Sequence, residues 1–167
     1  MPELEIAGRT DPPSDSDELH MLVGWLDYQR ETVPAKVEGV TLEDAVRPLV
    51  PSGTTLLGLV KHLAYVERYW FRMMFVGQRL PDIWTDPNDP DPEFRIEPGE
   101  TVDSVVALYR DEVAAARTAI DGANLDRVAV GRPFSLRWIL CHMIEETARH
   151  LGHMDILREL IDGAVGT

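Results

Sequence analysis

The sequence predicts an all-α fold, a four-helix bundle with a long crossover loop between helices two and three. Three observations carry that prediction. Apolar residues recur at helical spacing in four separate stretches, residues that cap helices stand in front of them, and no stretch alternates apolar and polar residues as a half-buried strand would. The 167-residue length suits one domain with a full core, and the 44% hydrophobic and 27% charged shares are ordinary globular values.

Residues 1–14 read as a flexible tail ahead of a single domain over 15–167. Ser14 or Ser16 is placed to cap a first helix over 17–33, where Leu19, Leu22, Val23, Leu26 and Val33 share a face. Pro34 and Gly39–Val40–Thr41 break it. Thr41, with Glu43 and Asp44, opens only a short helix, because Pro48 and Pro51 close the segment. A second long helix follows Ser52–Gly53, capped by Thr54 or Thr55, and runs to Val76 before Gly77. Residues 78–100 hold Pro81, Pro87, Pro90, Pro92 and Pro98 among seven acids, which reads as a long structureless loop. The third long helix spans 101–121, from Thr101 to the stop at Gly122. The fourth starts at Ser135 after Pro133 and reaches Ile161 before Gly163.

Charge removes several function classes. With 29 acidic against 16 basic residues the net charge is -13, so the lysine and arginine surplus that phosphate binding needs is missing. Nucleic acids and anionic membranes are excluded as partners on that ground. No apolar run approaches the roughly 20 residues of a membrane span. Met1 to Asp17 is acidic and broken by proline, unlike a signal peptide. One cysteine, Cys141, cannot form an internal disulfide, so a cytoplasmic protein is expected. Lys36 and Lys61 are the only lysines, and with abundant Ala and Asp this bias suggests a GC-rich genome, an actinobacterial one being in keeping.

The chemistry concentrates in the histidines: His20, His62, His142, His150 and His153. At about 100° per residue, His142, Glu146 and His150 stand in line on one helix face, with His153 between them. Leu136, Ile139, Met143, Leu157 and Ile161 mark the apolar arc of that helix; His150 falls inside it, Glu146 at its edge, His142 further round. An inward histidine and carboxylate need compensation when buried, and a metal ion would supply it. His62, between Leu59 and Val66 on the second long helix, is also a polar group on an apolar face. Two imidazoles and one carboxylate leave coordination open for water or substrate, as catalytic zinc sites do. The plainer readings stay open here. A lone inward histidine is more often a hydrogen-bonded core residue, and Glu-x-x-x-His pairs arise by chance on acidic helices. His20 reads as a surface residue, Cys141 as a packed core thiol, and Tyr69, Trp70, Trp84 and Trp138 as core or pocket wall.

Leu59-Val-Lys-His-Leu-Ala-Tyr-Val-Glu67, with Trp70-Phe71 after it, and His142-Met-Ile-Glu-Glu-Thr-Ala-Arg-His-Leu-Gly-His-Met-Asp155 resemble the DinB-like metalloprotein superfamily, nearest its mini-circle subgroup. The likeness covers nearly all of the chain after residue 15. It implies a DinB-like bundle and one divalent ion, zinc or nickel, held by a histidine triad. In the related mycothiol-dependent maleylpyruvate isomerase one ligand is glutamate. Carried over, the ligands are His62, Glu146 and His150. Glu146 stands where many members have histidine, and His153 where many have glutamine. The implied activity is a metal-dependent thiol S-transferase using a low-molecular-weight thiol such as mycothiol on an electrophilic small molecule. His153, Arg149 and His142 are the candidates for orienting or catalytic roles, the acidic loop 82–100 is a candidate cover for the pocket, and a homodimer stays open. A metal-dependent hydrolase with Glu145 or His153 as base, or a non-catalytic metal-binding stress-response module, are the other classes.

Overall fold

Four long helices and one short one form the bundle in the computed structural model, which describes residues 9–83, 88–89 and 91–166. Helix α1 is Glu18–Ala35, α2 Leu42–Ala45, α3 Leu56–Glu67, α4 Val102–Ile120 and α5 Leu136–Asp162. Among the described residues there is no strand, only an isolated bridge between Val128 and Ser135 that closes the turn into α5. No helix there is long and apolar enough to cross a membrane.

Caps set the helix starts. Thr41, Thr55, Thr101 and Ser135 each accept a backbone N–H from the first turn of α2, α3, α4 and α5. The cap of α1 is Asp17, not Ser14 or Ser16; its carboxylate accepts from the His20 amide at 3.0 Å, and an ionised acceptor suits the positive helix end. Helix α1 runs past Val33 to Ala35, with Pro34 inside its last turn. Gly163 ends α5 at φ 77°, a conformation that favours glycine.

Residues 9–13 lie against α1, so this part of the expected tail is held on the bundle. Arg9 donates to Thr32 Oγ1 and stacks on the Tyr28 ring. A Cβ on Gly24 would come within 2.5 Å of Pro13 Cδ.

The second long helix departs from expectation in its last turns. From Arg68 to Phe75 the backbone is π-helical, which widens the turn. Residues counted onward from His62 therefore drift from the α-helical wheel: Phe71, Met74 and Phe75 are buried, while Trp70 and Met73 are only half-buried.

Helix α1 packs on α5 and α3 on α4, and α3 also meets α5. The core has two clusters. One joins Leu59, Leu63, Val105, Leu151 and Met154, the other Leu26, Val66, Phe71, Leu140 and Met143. His62 and His150 lie along the α3–α5 seam where the two meet.

Charged groups are also buried. Arg30 grips Glu67 through two hydrogen bonds of 2.8 and 2.7 Å, both side chains being 1% exposed. Burial alone would lower the Arg30 pKa, but Glu67 and Asp27 outweigh it and the net direction is upward. Both lysines are buried too. Lys36 pairs with Asp155 at 2.5 Å, and Lys61 Nζ donates to the Arg95 carbonyl and to Glu100, each at 2.7 Å.

Removing one partner of a buried pair strands the other charge. Glu67→Ala is expected to lose roughly 3–5 kcal/mol of stability in urea unfolding. The double change Arg30→Met with Glu67→Leu should recover much of that loss. A double variant no more stable than Glu67→Ala alone would show that the pair contributes more than mutual neutralisation.

Candidate metal site

Helix α3 carries His62 toward α5 because Leu59, Leu63 and Val66 beside it are buried and fix the rotation of the helix. Helix α5 is fixed likewise. Leu136, Leu140, Met143, Thr147, Leu151 and Met154 form its buried stripe, centred slightly further round than the expected arc. Glu146 and His150 flank that stripe on the side facing α3. The Thr147 hydroxyl is satisfied locally by the Met143 carbonyl at 2.7 Å.

One carboxylate oxygen joins the three side chains. Glu146 Oε1 lies 3.2 Å from His62 Nε2 and 3.1 Å from His150 Nε2. The His62 and His150 rings are 4.7 Å apart, edge to face. These side chains are 12%, 14% and 19% exposed for His62, His150 and Glu146, so the cluster is half-sunk with one side reachable from solvent. The bond from His150 and then that from His62 hold the Glu146 carboxyl far below the usual carboxylate range, against the opposing effect of burial.

The donor set suits a divalent ion. The three ligand atoms lie within 4.8 Å of one another. Two donors each about 2.1 Å from a tetrahedral ion stand about 3.4 Å apart, close to both separations at Glu146. His150 Nδ1 is buried without a hydrogen-bond partner among the described residues.

Part of the acidic loop reaches this cluster. Residues Pro92–Phe94 form a 3₁₀ turn within the stretch read as structureless. Phe94 stacks on the His62 ring at 4.3 Å and 13°, and Glu93 Oε1 lies 3.4 Å from His62 Nδ1. Helix α3 receives the turn on Gly58, Lys61 and His62. At Gly58 a Cβ would stand 2.5 Å from the Phe94 carbonyl oxygen, so only glycine lets the loop lie this close. Lys61 pins the next residue through the Arg95 carbonyl. Glu93 and Phe94 were not among the sequence candidates. Trp84 lies outside the described residues.

The sequence profile of the mycothiol-S-transferase family matches residues 21–163. The chain belongs to that family. It is a branch of the DinB-like superfamily, in accord with the helical bundle. No individually curated protein matches the chain significantly. The family match spans His62, Glu146 and His150, and membership supports a thiol S-transferase-like role with a small-molecule thiol as partner.

The other candidates separate in space. His153 is exposed, its ring 5.5 Å from that of His150. Arg149 points to solvent and is paired with Glu145, its Nε at 2.8 Å. His142 belongs to an aromatic group, stacked on Trp138 at 5.2 Å with the Trp70 ring at 4.7 Å. Trp138 is 44% exposed and forms the outer edge of that group rather than core. His20 is exposed beside Asp17, as expected.

Cys141 corrects the sequence reading: it is exposed, not packed in the core. The wheel angle of about 180° that removes it from His150 also turns it away from the buried stripe. Its thiol in the native protein is therefore expected to react fully with a disulfide reagent such as DTNB. Cys141→Ser should leave metal content unchanged. Labelling only after unfolding, or metal lost on that substitution, would mean that α5 is rotated from the phase described.

Proposed function

We propose that this chain is a metal-dependent thiol S-transferase in which His62, Glu146 and His150 hold one divalent ion, most simply zinc, and mycothiol is the thiol joined to an electrophilic small molecule. The observation that carries the reading is the single Glu146 oxygen faced by two imidazole Nε2 atoms on a largely buried seam with one side open to solvent, in a chain of the mycothiol-S-transferase family. When bound, a divalent ion supplies Lewis acidity that lowers the pKa of a thiol into the physiological range.

The residues around that position have separable tasks. Glu146 brings the one negative charge that offsets a dication, and its depressed pKa keeps it ionised. His62 and His150 provide neutral nitrogen donors from two helices, which fixes the position across the seam. Phe94 covers one face of the His62 ring and keeps water off it. The thiol sulfur forms the new bond to the electrophilic carbon as the bond from that carbon to its leaving group breaks. The group departs with the electron pair (chloride, for a chloromethyl electrophile), and the thiol proton passes to solvent or to a nearby base. His153 is the candidate best placed for that proton, being exposed and next to His150. Of the two bases open to a hydrolase, Glu145 is engaged by Arg149 while His153 is exposed, and it is the family match that favours the transferase.

The direct test is turnover of a generic electrophile such as monochlorobimane by zinc-loaded protein, with and without mycothiol. Conjugation that requires both supports the reading. Turnover without thiol points to a hydrolase, and none in either case to a binding module.

Three substitutions in and around the site should rank by role. Glu146→Gln removes the only anionic ligand and is expected to lose most of the zinc affinity. His142→Ala should lose little, because its ring is held by Trp70 and Trp138. His153→Ala should fall between, within the ten- to one-hundred-fold range of outer-shell changes. Zinc titration of the three purified variants checks the order; His142→Ala emptying the site while Glu146→Gln keeps it would replace the ligand set by three histidines.

A further inference from the structure

Glu93 poses a problem that the proposed ligand set leaves unanswered. It is 6% exposed, and a carboxylate is seldom taken that far from water without partners. Its one polar contact among the described residues is His62 Nδ1 at 3.4 Å, and its second oxygen is buried with no hydrogen-bond partner there. The bundle nevertheless delivers it with several devices. Thr55 caps α3, Gly58 leaves room for the Phe94 carbonyl, Lys61 ties down Arg95 and Glu100, and Phe94 stacks on the same ring that Glu93 faces.

We propose that Glu93 is a positioning residue that holds the proton of His62 on Nδ1 and so turns its Nε2 toward Glu146 and His150. This rests on the metal-site reading above and adds to it the residue that orients one ligand. The argument is chemical. A ring that gives Nε2 to an ion keeps its one hydrogen on Nδ1, and the Glu93 oxygen at 3.4 Å is the acceptor that faces it. With the proton fixed on Nδ1, Nε2 is the nitrogen left free to donate to an ion. The ring is braced at two points, at Nδ1 by Glu93 and on one face by Phe94, and its Nε2 faces the shared Glu146 oxygen. His150 has no such brace, since its Nδ1 has no partner among the described residues. The two histidines are thus unequal, and His62 is the oriented one. Carboxylate partners of this kind commonly change metal affinity ten- to one-hundred-fold.

The test compares wild type, Glu93→Gln and Glu93→Ala by Zn²⁺ titration and by ¹H–¹⁵N NMR of the imidazoles, with and without zinc. Urea unfolding confirms that each variant is folded. The expected result is a His62 Nδ1–H protected from exchange in wild type and lost in Glu93→Ala, with zinc affinity falling about ten-fold or more. Glu93→Gln keeps an oxygen that can accept, so it should retain the Nδ1–H and lose less affinity. Zinc bound as tightly by Glu93→Ala as by wild type, or an Nδ1–H unchanged in it, overturns the proposal and leaves the metal site standing. If wild type binds no zinc, the metal reading fails. The zinc-free spectra then decide the orientation alone: Nδ1–H present in wild type and lost in Glu93→Ala supports it, and presence or absence in both overturns it.

Discussion

Burying three polar side chains on an otherwise apolar seam is the constraint around which this molecule is arranged. Leu59, Leu63 and Val66 on α3 and Met143, Leu151 and Met154 on α5 require the two helices to meet. Wherever they meet, His62, Glu146 and His150 are drawn in with them. Left unpaired, each would carry a desolvation penalty of roughly 1–3 kcal/mol or more. Sharing one carboxylate oxygen removes most of that penalty and places three donor atoms around a common point. The groups that must satisfy one another are also of the donor types a divalent cation prefers.

Much of this was legible from local pattern. Helix starts follow from Thr55, Thr101 and Ser135, whose side chains cap in the structure as their positions suggest. The cluster was readable because two independent helical wheels point His62 and the Glu146–His150 pair inward, and a wheel needs only the apolar residues of its own segment. The same wheel places Cys141 as well: a residue that leaves the His–Glu stripe also leaves the core, because the buried stripe of α5 lies on the His–Glu side.

What the sequence did not disclose depends on tertiary contact. The π-helical turns at Arg68–Phe75 carry no local signature, since they repack Phe71 and Phe75 against residues distant in the chain. The acidic loop has seven acids, and nothing in its composition singles out Glu93. The usable signals were indirect. Gly58 stands in the first turn of α3, where glycine is a poor helix former unless something must approach closely, and Lys61 lies one residue from His62 on a largely apolar helix.

The fate of the two lysines has a further consequence. With Lys36 against Asp155 and Lys61 under the Arg95 carbonyl, every side-chain amine of the protein is withdrawn from solvent. The cationic surface is left to arginine, whose delocalised guanidinium stays protonated and is a poor nucleophile. Acylating reagents, reducing sugars and aldehydes that modify ordinary proteins at lysine would meet no lysine amine in the open, whereas the Cys141 thiol is exposed to soft electrophiles.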